Sequence, residues 1–168
     1  MSIKRVAVQG LSLSAVALVA LLSREGFTDK AIIPTRGDVP TVAFGMTERP
    51  DGSPVRLGDR ATPVQGLQRS MAYITKAEAR IKQCLTAPLL PLEYDQMVDF
   101  SYQYGTGALC KSSIVKRANA GDYAGSCQAY LLYKFSAGYD CSTPGNKICS
   151  DVWNRSKDRY AACMGAQP

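Results

Sequence analysis

The chain has 168 residues, 46% of them hydrophobic, a net charge of +6 and an isoelectric point near 9.1, which suits a compact domain with a real core and excludes a mostly disordered chain. It contains no histidine, which excludes Ser-His-Asp and Cys-His nucleophilic centres and histidine-ligated zinc, so acid and base chemistry falls to carboxylates. The positive charge favours an anionic partner, yet its lysines and arginines are scattered as on a solvated surface, without an arginine-rich helix or an RNP-type aromatic pattern, and no nucleic-acid partner is expected.

Lys4 and Arg5 precede VAVQGLSLSAVALVALL, residues 6–22, which carries no charge before Arg24 and Glu25. As a helix this run rises about 25 Å, short of the roughly 30 Å hydrocarbon core of a bilayer. Gln9 and seven Ala, Gly or Ser positions weaken its hold on lipid. Three readings fit: a cleaved signal peptide with Ala15-Val16-Ala17 as a small-x-small site, a permanent anchor or buried core helix, and a segment that enters the membrane, carries the rest across and later leaves uncleaved. Marginal length and weak hydrophobicity favour the third. The positive-inside rule places Lys4 and Arg5 in the cytoplasm and everything after residue 22 outside. Two segments are therefore predicted, a membrane-active 1–22 and a folded domain over 23–168.

Next, Ala31 to Pro34 and Val39 to Gly45 read as a small antiparallel hairpin around a turn at Thr35-Arg36-Gly37-Asp38. Thr47 to Asp59, rich in Pro, Gly and charge, reads as an exposed loop. Gly66 to Leu85 is a long helix with Leu67, Met71, Ile74, Ala77, Ile81 and Cys84 at steps of three and four. Leu92 to Tyr104 follows Pro91 as a second, with Tyr94, Met97, Val98, Ser101 and Tyr102 facing inward. Ser112 or Ser113 caps a helix to Asn119, and Tyr123 to Phe135 and Asp151 to Met164 complete the set. The sum is an α+β fold, mainly helical, with a weakly apolar N-terminal helix and the hairpin lining one wall of a cleft.

All six cysteines, Cys84, Cys110, Cys127, Cys141, Cys149 and Cys163, lie in the second half. Their even number fits up to three disulfides in an oxidising compartment, and their spacings fit no metal site. Cys141 and Cys149 are the expected bridge, because Ser142 to Asn146 between them is turn chemistry. The cysteines and the N-terminal run both point to the periplasm.

With histidine absent, carboxylates that share a cleft become the candidates. The helix-to-hairpin region supplies Glu25, Asp29 and Asp38, with the hydroxyls of Thr35 and Thr41 close in sequence. Glycosidic cleavage needs one carboxylic acid to protonate the leaving oxygen and a second carboxylate to orient water or stabilise the oxocarbenium-like state. Glu25, flanked by Gly26 and Phe27 at a helix end, suits the general acid, and Thr41 suits a hydrogen bond to the attacking water.

Glu25-Gly26-Phe27, Val39-Pro40-Thr41-Val42-Ala43-Phe44-Gly45, Phe100-Ser101-Tyr102-Gln103-Tyr104-Gly105, and Ser112 to Tyr123 resemble, in order and spacing from about residue 23 to the C-terminus, the phage T4-type lysozymes of glycoside hydrolase family 24. With the weakly apolar N-terminal run, the chain is similar to signal-anchor-release endolysins. The resemblance implies a lysozyme-like fold and a muramidase that hydrolyses the β-1,4 bond between N-acetylmuramic acid and N-acetylglucosamine. It implies peptidoglycan as substrate, no cofactor, an inner-membrane contact through residues 6–22 before release, and a monomer. Glu25 and Thr41 fall on the first and third catalytic positions. Where the family carries its aspartate this chain has Pro34 and then Thr35, and Asp38 is the nearest acid in the hairpin. Gln103 and Tyr104, in the third matching stretch, are expected to bind substrate. Arg155 resembles the family's late basic motif, read either as a partner of Glu25 or as a structural cation on an amphipathic helix. A lytic transglycosylase, which needs only the glutamate, and a non-catalytic periplasmic glycan-binding module are the alternatives.

Overall fold

The computed structural model describes residues 4–34 and 37–167. Seven α-helices and two small antiparallel sheets make up its regular structure among the described residues. Its contacts divide it into two compact units, one of the residues up to Leu13 together with Glu78 onward, the other Ser14–Ala77.

The second unit opens with α1, Ala15–Glu25. The Ser14 side chain accepts from the Ala17 amide at 3.1 Å, an N-cap that fixes where the helix begins. Strand β1, Thr28–Ile32, pairs antiparallel with β2, Thr41–Ala43, in a register that shifts between Thr28 opposite Ala43 and Ile32 opposite Thr41. Strand β1 begins and ends earlier than the predicted 31–34 and β2 is shorter than the predicted 39–45, because Pro34 and Pro40 have no amide to give a ladder. The loop between them includes Thr35 and Arg36, which lie outside the described residues, and with them part of the predicted turn. The stretch after β2 is more structured than an exposed loop: Ala31 donates to Asp59 at 2.8 Å and Ala61 to Asp29 at 3.0 Å, so residues 59–61 lie along β1. Ala31, Val42, Ala43, Val55 and Ala61 form the small core here, with Phe44 against it.

Helix α2, Pro63–Cys84, starts from a reciprocal cap: the Gln65 amide donates to the Thr62 hydroxyl at 3.3 Å, and the Gln65 side chain accepts from the Thr62 amide at 2.9 Å. Pro63 occupies the first turn, where its missing amide costs nothing. Of the predicted inward stripe, Ile74, Ala77 and Ile81 are buried, whereas Leu67 and Met71 are 43% and 41% exposed.

The first unit holds α3, Pro91–Tyr104; α4, Thr106–Lys111; α5, Ser113–Asn119; α6, Tyr123–Gln128; a hairpin of β3, Phe135–Ser136, with β4, Tyr139–Asp140; and α7, Ser150–Gly165. Ser112 caps α5. The predicted helix Tyr123 to Phe135 stops at Gln128 and tightens into a 3₁₀ turn over Ala129–Leu132. Tyr94, Met97, Val98, Phe100, Leu109, Ile114 and Tyr130 fill the core.

The apolar run 6–22 is not one helix in this fold. Val8–Gly10 forms a 3₁₀ turn, residues 11–14 are not helical, and only then does α1 begin. The first half is bound to the first unit as an arm. Val6 exchanges both backbone hydrogen bonds with Leu89 at 2.9 Å, Leu13 donates to the Glu78 carboxylate at 2.8 Å, and Val8 is fully buried. Because these partners satisfy its amides, the arm does not need the helix that lipid would impose. No helix of the described residues is long and apolar enough to cross a membrane.

The arm ends in an ion pair. Arg5 Nη2 and Nε donate to the Glu93 carboxylate at 2.8 and 3.2 Å, Nη2 also donates to Gln167 at 2.8 Å, and the guanidinium lies 3.6 Å over the Tyr123 ring. Glu93 is buried and also accepts from the Leu90 amide at 2.7 Å, capping α3. Three disulfides, Cys84–Cys110, Cys127–Cys163 and Cys141–Cys149, use every cysteine.

Candidate active site

Glu25 is the last residue of α1, and Gly26 ends the helix, donating to Leu22 with φ +69°. That reversal turns the chain into β1. The carboxylate of Glu25 lies against the turn after β2: a Cβ built on Gly45 would sit 3.3 Å from Glu25 Oε2. The turn is closed by mutual backbone hydrogen bonds of Val42 and Met46 at 3.0 Å. Its tightness requires positive φ at Ala43, +59°, and at Gly45, +74°, the former a conformation non-glycine residues adopt at a cost of order 1–3 kcal/mol.

Two further contacts hold this turn in place. Phe27 and Phe44 pack at 5.3 Å between ring centroids. The start of α2 presses on it at Gly66, where an added Cβ would come within 2.9 Å of Ala43 Cβ and 3.2 Å of the Phe44 ring. Glu25 is therefore brought to the end of β2, the strand that opens with half-buried Thr41. Asp38 stands ahead of the same strand, exposed, its carboxylate accepting from the Val39 amide at 2.9 Å. Asp29, also exposed, pairs with Arg60 at 3.2 Å.

Gln103 and Tyr104 belong to the first unit, where α3 meets α7. Gln103 accepts from Arg159 Nη2 at 2.7 Å, and Tyr104 packs on Phe100 at 4.6 Å with its hydroxyl buried. Arg155 donates to Asp99 at 2.9 Å, and Arg159, fully buried, pairs with the other oxygen of the same carboxylate. Burial of Asp99 favours its neutral form, but the two guanidiniums outweigh this and hold its pKa below the usual carboxylate range. Asp99 and Gly45 escaped sequence reasoning. The signal for Asp99 was the Arg155, Arg159 spacing, which places both on one face of α7; for Gly45 it was the tight turn that FG after a short strand requires.

The family model described as phage lysozyme matches residues 23–147. The chain belongs to the phage lysozyme family. It is accordingly a glycosidase of the muramidase type, with peptidoglycan as its substrate class. Among named relatives it is 31% identical to the SAR-endolysin of Pseudomonas phage phiKMV over 152 residues, covering 89% of this chain and 87% of the relative. It is 29% identical over 131 residues to the SAR-endolysin of Escherichia phage 933W, covering 74% and 71%. The endolysin from Escherichia coli O157:H7 phage FAHEc1 superposes with a TM-score of 0.77 at 26% identity, covering 94% of this chain and 96% of that one. The mainly helical body with its small sheet is thus a lysozyme-like fold.

Proposed function

We propose that this enzyme is a phage endolysin that hydrolyses the β-1,4 bond between N-acetylmuramic acid and N-acetylglucosamine and so lyses the host. Glu25 is the general acid that protonates the leaving glycosidic oxygen. Asp38 is the second carboxylate, and the Thr41 hydroxyl hydrogen-bonds the attacking water. The observation that carries this reading is the seating of the Glu25 carboxylate against Gly45, at the end of the strand that carries Thr41. Gln103 and Tyr104 are proposed to contact the glycan chain, and the enzyme to act as a monomer.

In this reading residues 6–22 first hold the chain in the inner membrane facing the periplasm, and their release activates it. Support comes from the two signal-anchor-release relatives and from the arm, whose contacts with Leu89, Glu78 and Glu93 require residues 5–13 to have left any bilayer. Because Glu25 closes α1, which begins within the same run, holding the run in lipid withholds both the arm and the acid from their folded places.

Reducing-end analysis of purified peptidoglycan digests tests the chemistry. Glu25→Gln should abolish cleavage, and Asp38→Asn should lower it by about two orders of magnitude or more. Full activity in Asp38→Asn would remove Asp38 from the mechanism, and 1,6-anhydro ends in the wild-type digest would make the enzyme a transglycosylase.

A further inference from the structure

Gln103 follows Asp99 by one turn of α3, and Arg159 follows Arg155 by one turn of α7, so each pair stands along one helix face. Arg155 pairs with Asp99 at 2.9 Å and by itself balances that carboxylate. Arg159 pairs with it as well, although it is fully buried and its Nη1 is left without a hydrogen-bond partner. Burying a second guanidinium with an unanswered N–H carries a desolvation cost that balancing Asp99 does not require. Beyond Asp99, Arg159 makes one hydrogen bond, from Nη2 to Gln103 Oε1 at 2.7 Å.

That bond settles which way round the amide sits. A guanidinium only donates, so the end of the Gln103 amide that meets Arg159 must be the oxygen, and the nitrogen points away with its two N–H groups. Gln103 is half-buried and its nitrogen donates to no described residue. The end that a ligand can meet is therefore a pure donor. A hydroxyl both donates and accepts, so an amide free to turn over would serve it either way; only a group that accepts without donating, such as an amide carbonyl, gains from a locked donor. We infer that Arg159 is a positioning residue, which locks the Gln103 amide so that its N–H groups meet an amide carbonyl oxygen of the substrate. The inference rests on the reading above in having Gln103 contact the glycan. It adds the group that is met and the residue that holds the amide ready for it. Peptidoglycan offers such carbonyls on the acetamido groups of its sugars and on its stem peptides.

The test measures kcat and KM of the full chain on soluble peptidoglycan fragments. Gln103→Glu keeps an oxygen on Arg159 and replaces the outward nitrogen with a second oxygen; KM should rise roughly tenfold, with kcat within about twofold and the melting temperature not lowered. Arg159→Lys keeps a cation against Asp99 but loses the fork that also reaches Gln103. It should raise KM about threefold or more in the wild-type background and leave it unchanged in a Gln103→Ala background, while its effect on stability is the same in both. A merely structural Arg159 would not show that dependence on position 103. Should Arg159→Lys not fold, Arg159→Gln, neutral beside the Asp99 and Arg155 pair, takes its place in the same cycle. Unchanged KM in Gln103→Glu, or an equal rise from the Arg159 change in both backgrounds, overturns the inference. Glycan chains freed of stem peptides should keep the Gln103→Glu penalty if the partner is an acetamido carbonyl and lose it if it is a peptide carbonyl. Wild type that releases no reducing ends, with Gln103→Glu still cosedimenting about tenfold more weakly with insoluble peptidoglycan, would sink the muramidase reading and leave this one standing.

Discussion

Gly45 leaves the space that the carboxylate of Glu25 fills. Any side chain there would start 3.3 Å from Glu25 Oε2 and would have to accept φ +74°, a conformation worth about 1 kcal/mol or more against alanine. Gly45→Ala is expected to lower kcat about tenfold or more through the displaced acid, while the melting temperature falls only by the few degrees that the backbone strain accounts for. Turbidity kinetics on purified peptidoglycan, run beside calorimetry, separate the two effects. A loss of stability with unchanged kcat would mean that the turn does not position Glu25.

Glu93 is the buried partner of Arg5, its carboxylate 2.8 Å from the guanidinium. Arg5→Gln should destabilise the folded protein by about 2–4 kcal/mol, because removing one member of a buried pair leaves the other uncompensated. Urea unfolding of Arg5→Gln, Glu93→Gln and the double variant would measure the coupling, expected to exceed about 1 kcal/mol. Retention of the Leu90 amide bond by Gln at position 93 is what makes that cycle interpretable.

How much of this was legible beforehand differs between the two units. The hydrophobic steps at Ile74, Ala77 and Ile81, the stripe of α3 and the Ser112 cap announce their helices, since local periodicity and capping decide them. Glu25 and Thr41 are candidates on the same local ground, because the chemistry of a histidine-free chain needs carboxylates and hydroxyls and their surrounding motifs are short. What stayed hidden depends on partners far along the chain. The arm is not helical because Leu89, Glu78 and Glu93 satisfy it from 65 to 88 residues away, and Asp99 finds Arg155 and Arg159 at separations of 56 and 60. Helix α4 was missed because Gly105, at φ +85°, ends α3 and starts a new helix one residue later. Leu67 and Met71 fit the inward period yet face water, so period identified a face without saying what covers it.

Acid should weaken the fold through two surface carboxylates. Asp59, held by the Arg49 side chain and the Arg56 amide, and Asp140, held by Ser142 and Lys134, have pKa values lowered from 3.8 to about 2. Because the folded chain binds the proton less readily than the unfolded one, their contribution is complete above about pH 4 and is lost as the pH falls toward about 2. Asp59→Asn and Asp140→Asn should each flatten the fall of melting temperature across that window and leave the neutral-pH slope unchanged. NMR titration of the two carboxyls reads the same shift directly.

The disulfides set what reduction should do. Cys127–Cys163 and Cys84–Cys110 close loops with separations of 36 and 26, against 8 for Cys141–Cys149. In the loop-entropy account the two longer bridges each contribute roughly 3–4 kcal/mol and the short one less. Cys127 and Cys163 are also buried between α6 and α7, so replacing both with serine adds the loss of apolar packing to the loss of the link. The paired variant Cys127→Ser, Cys163→Ser should therefore lower the urea midpoint more than Cys141→Ser, Cys149→Ser, whose bridge ties a surface hairpin to the start of α7. The opposite ranking would show that the short bridge, by fixing where α7 begins, controls the placement of Arg155 and Arg159 on Asp99 more than the buried core beneath them does.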